Sequence, residues 1–262
     1  MSSLYIYGDS FAVDWEEPWV WQRQIAPRLG IDKVVVQGCA GCANEWTLKL
    51  FQQDQHKPKD IVIFFITDPS RQWWFEDRPS LCNLSSIMDT KEAQQVKDND
   101  RDKFEAIVNY YAHLQNDKID RFRLEMMIDF IKVKAIEREV ILQVIPCFDM
   151  QIDWTDLNPC KGNMTTHVCD REFANMDDLP IWYEQSIDTR ANHMTIENHT
   201  RFANKLLHRF VKGGAIDLTQ GFETGFLKLS DKLTHPGLCP KLVEMAMEPG
   251  NTIPKEHFPI KR

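Results

Sequence analysis

The chain has 262 residues, of which 43% are hydrophobic and 27% charged, the balance of a globular protein long enough to bury a core without staples. Its net charge of −8 argues against nucleic acid or an anionic membrane as partner, since both select clustered Lys and Arg. No apolar run approaches the roughly 20 residues of a membrane span, and no basic-then-apolar leader opens the chain.

Seven cysteines, an odd count without an export signal, favour reduced thiols and a cytoplasmic location. On that reading the sequons at Asn83, Asn163 and Asn198 carry no glycan.

Taken in chain order, four short β-branched runs predict strands: Leu4–Tyr7, Lys33–Gln37, Asp60–Thr67 and Glu139–Pro146. Each is continuous rather than alternating, as expected of strands covered on both faces. The stretch from Glu17 to Gly30 reads as a helix stopped by glycine, and Asn44 to Gln55 as a second. Strands separated by helices imply right-handed crossovers and a parallel sheet.

Residues 69–135 read as a helical excursion from that sheet, and Phe122, Met126, Phe130 and Val133 set a long helix before the fourth strand. Residues 147–192 show little periodicity. From Thr195, which suits an N-cap, an amphipathic helix carries Ala203, Leu206, Leu207 and Phe210 on one face and stops at Gly213-Gly214. The remainder, about 213–262, is rich in Pro and Gly and predicts an irregular appendix to a single domain.

In an open parallel sheet, ligands bind beyond the carboxyl ends of the strands. Three strand ends are polar or glycine-rich there: Gly8-Asp9-Ser10, the run from Gly38 to Asn44, and Thr67-Asp68 followed by Arg71. A serine with a later histidine and a carboxylate is the equipment of acyl transfer. The imidazole takes the serine proton, and the carboxylate fixes its tautomer. Glycine turns offer unhindered N–H groups to an oxyanion. Two histidines qualify as the base. His193 precedes the capped helix, with Asp188 five residues earlier; His235 precedes Pro236, with Asp231 four residues earlier.

Gly8-Asp9-Ser10 after the first strand, Gly38 and Gly41 after the second, and a histidine before the last helix together resemble the SGNH, or GDSL-type, hydrolases. The resemblance covers roughly residues 1–70 and 185–210 plus the fourth strand. It implies a three-layer α/β sandwich around a parallel, flavodoxin-like sheet of about five strands. It also implies hydrolysis of small O-acyl esters, sugar acetates among them, through an acyl-serine and without metal or organic cofactor. Ser10 would be the nucleophile, His193 the base and Asp188 its orienting acid. The backbone N–H groups of Ser10 and Gly41, with Thr67, would hold the oxyanion, while Asp9, Asn44 and Arg71 are candidate substrate contacts.

The chain departs from that pattern twice. Thr67 stands where the family has an oxyanion-binding asparagine, and Arg190 stands three before His193, where the family has an acid. A non-catalytic binding or structural module of the same fold is therefore the alternative. The "GDSF" opening and the "NHM" before the last helix also look like bacteriophage versions of the pattern, in which assembly into a larger particle is an expectation.

Other readings compete for single residues. Cys39 and Cys42 form a CxxC that permits a redox reading, and Cys160, His167 and Cys169 a zinc reading. Trp15, Trp19, Trp21, Trp73 and Trp74 are expected as core or as an aromatic binding wall.

Overall fold

A computed structural model describes residues 2–14, 16–89, 91–150, 160–169 and 194–223. These fall into two compact units. The first holds β1 (Ser3–Gly8), β2 (Lys33–Gly38), α2 (Asn44–Gln53), β3 (Ile61–Ile66), α3 (Leu84–Asp89), α4 (Lys91–Asn99), α5 (Arg101–Asn109), α6 (Asp117–Glu137) and β4 (Ile141–Pro146). The second holds α1 (Trp21–Arg28), β5 (Cys160–Lys161), α7 (Ile196–Lys212) and β6 (Ile216–Asp217). No described helix is long and apolar enough to cross a membrane.

The chain is an α/β protein built on a parallel sheet in the order β2-β1-β3-β4. About five strands were expected; among the described residues this sheet has four. Leu4 pairs with Val34 on one side and Ile61 on the other, so β1 is a central strand. Ile61 in turn pairs with Ile141 at the β4 edge. The alternating pleat sends Tyr5, Tyr7, Val62, Phe64, Leu142 and Val144 to one face, where Phe51 of α2 and Leu124, Ile128 and Ile131 of α6 cover them. Leu4, Ile6, Ile63, Phe65 and Ile145, which point the other way, are also buried. Burial on both faces explains why these strands read as unbroken apolar runs.

The helical character expected of residues 69–135 is present, and α3 to α5 enclose a small core of their own around Phe75, Leu81, Ile87, Phe104 and Ile107. The long helix is present too, capped by Asn116, whose side chain accepts from the Lys118 and Ile119 amides. Its buried face differs from the expected one. Leu124, Met127, Ile128, Ile131 and Ala135 face the sheet, whereas Phe122, Met126 and Val133 are exposed. Two apolar stripes coexist on this helix, and periodicity alone cannot choose between them.

A polar clamp fastens β1 to the end of α2 and the end of α6. Tyr7 Oη donates to Asp54 Oδ2 at 2.6 Å and lies 2.8 Å from His56 Nε2. Arg138 Nη1 lies 2.7 Å from His56 Nδ1, and a guanidinium only donates. His56 Nδ1 therefore accepts, its proton resides on Nε2, and the ring is neutral. Burial, and then the Arg138 charge, push the His56 pKa down to about 4.

In the second unit, α1 packs on α7 through an edge-to-face pair of Trp21 and Phe202, 5.2 Å between centroids. Trp21 is fully buried, so this tryptophan is core. Thr195 caps α7 as expected, its hydroxyl accepting from the Asn198 amide at 3.1 Å. Gly213 ends that helix in a positive-φ conformation.

Candidate functional site

The carboxyl edge of the large sheet is shaped by two paired glycines. Gly8 and Gly38 sit opposite each other at the ends of β1 and β2. A Cβ on Gly8, whose φ is +149°, would fall 2.5 Å from Phe65 Cβ. One on Gly38 would fall 2.7 Å from the backbone carbon of Ala12 and the nitrogen of Val13. Their bareness lets the chain after β1 fold straight back over the sheet edge.

That turn runs from Asp9 to Ala12, closed by Ala12 N–H donating to the Asp9 carbonyl at 3.0 Å. The Asp9 side chain reinforces it by accepting from the Phe11 amide at 3.2 Å. Ser10 occupies the turn, half-buried. Neither its hydroxyl nor its amide is hydrogen-bonded to another described residue. Gly41, at φ +70°, turns the segment after β2 so that it can lead into α2, and its amide is likewise unspent within the described residues.

Asp9 is the hub of the edge and is only 1% exposed. Its Oδ2 accepts from Thr67 Oγ1 at 2.9 Å and from Arg71 Nη1 at 3.3 Å. The Cys147 thiol, just beyond β4, lies 3.5 Å from Oδ1. Asp9 thus ties together the chain segments that follow β1, β3 and β4. Arg71 also lies over the Phe148 ring, 5.3 Å from its centroid. Burial works against the Arg71 charge, but the Asp9 carboxylate outweighs it and holds the guanidinium pKa above its usual value.

These partners reassign several candidates. A threonine hydroxyl has one proton, and that of Thr67 goes to Asp9, so in this arrangement it is not an oxyanion donor. Asp9 and Arg71 are spent on each other rather than presented to a substrate, in a largely buried ion pair. Asn44 neither caps α2 nor faces outward. Its amide donates to the Thr67 carbonyl at 3.0 Å and its Oδ1 accepts from the Thr67 amide at 2.9 Å, a two-bond clamp on the end of β3. Ser10 and Gly41 remain as groups able to act on a ligand. His193, Asp188, His235 and Asp231 lie outside the described residues.

The thiols near this edge are held protonated. Burial, and then the neighbouring Asp9 charge, raise Cys42 and Cys147 well above a usual thiol. Burial raises Cys82 to about 12. Cys42 Sγ donates to the Gly8 carbonyl at 3.3 Å, a packing role rather than that of a reactive thiolate. In the second unit burial likewise raises Cys160 to about 12, and His167 Nδ1 accepts from the Asn163 amide at 3.2 Å. Among the described residues no three His, Cys, Asp or Glu side chains gather as a metal site.

Beyond the ends of β3 and β4 lies a cavity of about 390 Å³, lined among others by Asp68, Ser70, Asp120, Leu124 and Phe148. This is where an open α/β sheet usually takes its ligand. On its wall, Asp120 Oδ1 accepts from Gln72 at 3.2 Å and from Arg123 at 3.4 Å. Burial raises the Asp120 pKa, opposed by Arg123. Sequence reasoning missed Asp120 because it reads as an ordinary first-turn acid. It also missed Cys147, although the residue after a predicted strand was the available signal.

Compared with protein-family models, curated proteins and solved structures, the chain matches none.

Proposed function

We propose that the chain is a serine ester hydrolase of the SGNH type, built as a three-layer sandwich and acting on small O-acyl esters such as sugar acetates. The observation that carries this reading is Ser10: a half-buried hydroxyl on a turn fixed by its neighbours, at a sheet edge where the amide N–H groups of Ser10 and Gly41 are used by no described residue. Ser10 Oγ attacks the ester carbonyl carbon while His193, in the proposed mechanism, takes the hydroxyl proton and Asp188 orients its ring. The two amides stabilise the oxyanion. The leaving alcohol departs with the proton from the imidazole, and water, deprotonated by the same base, releases the acid from the acyl-serine. His235 with Asp231 is the alternative pair for these steps.

One observation favours the second reading, a binding or structural module that has lost catalysis. The third oxyanion donor is spent on Asp9, and loss of such a donor costs about a hundred- to a thousandfold in rate. In that reading the same edge recognises a partner, and a bacteriophage particle is one setting for it.

Labelling with a fluorophosphonate probe separates the two. Labelling of the wild type that disappears in Ser10→Ala supports the hydrolase, and its loss in His193→Ala or His235→Ala names the base. A folded protein that never labels moves the reading to the module.

A further inference from the structure

Helix α6 buries one face and leaves a second apolar stripe that the other described residues do not cover. Ile119, Phe122, Met126, Val133 and Ile136 are 51, 61, 56, 52 and 77% exposed. Single exposed apolar side chains are ordinary, but a contiguous row marks an interaction surface. The spacing of this row is that of a coiled-coil seam. Ile119, Met126 and Val133 recur every seven residues, and Phe122, Asp129 and Ile136 form the companion row. The helix needs no such seam for its own fold, because Leu124, Ile128 and Ile131 already anchor it to the sheet.

The outer positions of the seam match when the helix is reversed end for end, and only its centre differs. Reversal about the Met127–Ile128 peptide sets Ile119 opposite Ile136, Phe122 opposite Val133 and Met126 opposite Asp129. Apolar ends that meet apolar ends on reversal suit a twofold-symmetric contact, with the Asp129 carboxylate of each helix opposite Met126 of the other. The flanking charges agree. Glu125 and Lys132 border the same side of the seam seven residues apart, so an antiparallel copy brings Glu125 of each helix near Lys132 of the other, twice by symmetry. A parallel pairing would instead bring Lys118 near Arg123. The present partners of the flanking residues, Arg121 for Glu125 at 3.0 Å and Asp129 for Lys132 at 3.5 Å, are an exposed pair and a half-exposed pair, and such pairs hold little energy.

We propose that α6 docks antiparallel against α6 of a second copy of this chain, forming a twofold dimer. The inference is independent of the chemistry at Ser10.

Sedimentation velocity of the full chain, from about 1 to 100 µM, tests it. The expected result is a concentration-dependent dimer whose dissociation constant rises at least about tenfold in Phe122→Glu and in Val133→Glu. Both positions are exposed, and unchanged thermal melting verifies that each variant folds. Glu125→Lys and Lys132→Glu should each weaken the dimer, and the two together should restore it to within about threefold of wild type. A monomer at the highest concentration overturns the proposal, as does a dimer indifferent to Phe122→Glu, which would place the contact elsewhere. A double charge reversal no better than either single one overturns the antiparallel pairing.

Discussion

The Thr67 hydroxyl donates its single proton to Asp9 Oδ2 across 2.9 Å, so the residue that stands in the oxyanion position of the sequence pattern serves the fold instead. Replacing Thr67 by Val removes a hydrogen bond to a buried carboxylate and should lower stability by about 1.5 to 3 kcal/mol. If Ser10 and Gly41 supply the oxyanion donors, the rate of fluorophosphonate labelling should stay within a few-fold of wild type. Urea denaturation and a labelling time course measure the two effects separately. A hundredfold loss of labelling in a folded Thr67→Val protein would return the hydroxyl to the chemistry.

Asp9 and Arg71 form a pair with little solvent access, so breaking it is costly from either side. Asp9→Ala leaves Arg71 as an uncompensated charge and should cost about 3 to 5 kcal/mol. Adding Arg71→Met should recover part of that loss, because the stranded charge is then gone. A double-mutant cycle read by denaturant midpoints supplies the coupling energy, and purely additive losses would show that the pair is not coupled.

How much of this edge was legible beforehand depends on which residues define it. The four strands were: burial on both faces imposes continuous apolar runs on β1, β3 and β4, while the edge strand β2, half-buried or exposed along its length, reads as a strand through its β-branched Val34, Val35 and Val36. Gly8, Asp9 and Ser10 were, because a strand that breaks into glycine, acid and hydroxyl announces a turn. The direction in which Asp9 points was not. A carboxylate beside a serine reads equally as substrate contact or hub, and only the arrival of Thr67, Arg71 and Cys147 from distant positions decides it. The same limit explains α6, where two apolar stripes compete and the sheet selects the one bearing Leu124 and Ile128.

Gly38→Ala should be among the most damaging of small substitutions here. Its Cβ would meet the Ala12–Val13 peptide at 2.7 Å, and backbone cannot swing aside as a side-chain tip can. A loss of about 1 to 3 kcal/mol is expected, with labelling at Ser10 reduced as the turn is pushed outward. Gly30→Ala is the comparison: its φ of +66° carries strain, but nothing lies within 4 Å. Thermal melts should rank Gly38→Ala below Gly30→Ala, and the reverse order would mean that the turn yields easily.

His56 makes stability depend on pH in a defined sense. Its folded pKa, about 4, lies below the ordinary value of 6.5, so the unfolded chain binds the proton more readily. The neutral ring's contribution is complete above pH 6.5 and is lost as pH falls from there towards 4. Half-exposure of the ring limits the loss to about 1 to 2 kcal/mol. Glu45 and Asp120, whose carboxyl pKa values burial raises, act in the opposite sense as pH falls. The difference between wild type and His56→Gln in urea midpoints, taken from pH 7 to 4, isolates the histidine. Equal pH slopes in the two proteins would refute the assignment.

Everything that locates residue 10 belongs to other residues: the bare Cα atoms of Gly8 and Gly38, the Asp9 carbonyl held by Ala12, and the Asp9 carboxylate held by Phe11, Thr67 and Arg71. The Ser10 side chain contributes no hydrogen bond to that arrangement. Position 10 is therefore a socket whose side chain can be exchanged while the backbone around it is kept. A thiol placed there by Ser10→Cys would keep the same backbone around it, and reagents selective for sulfur could then report on how open that turn is.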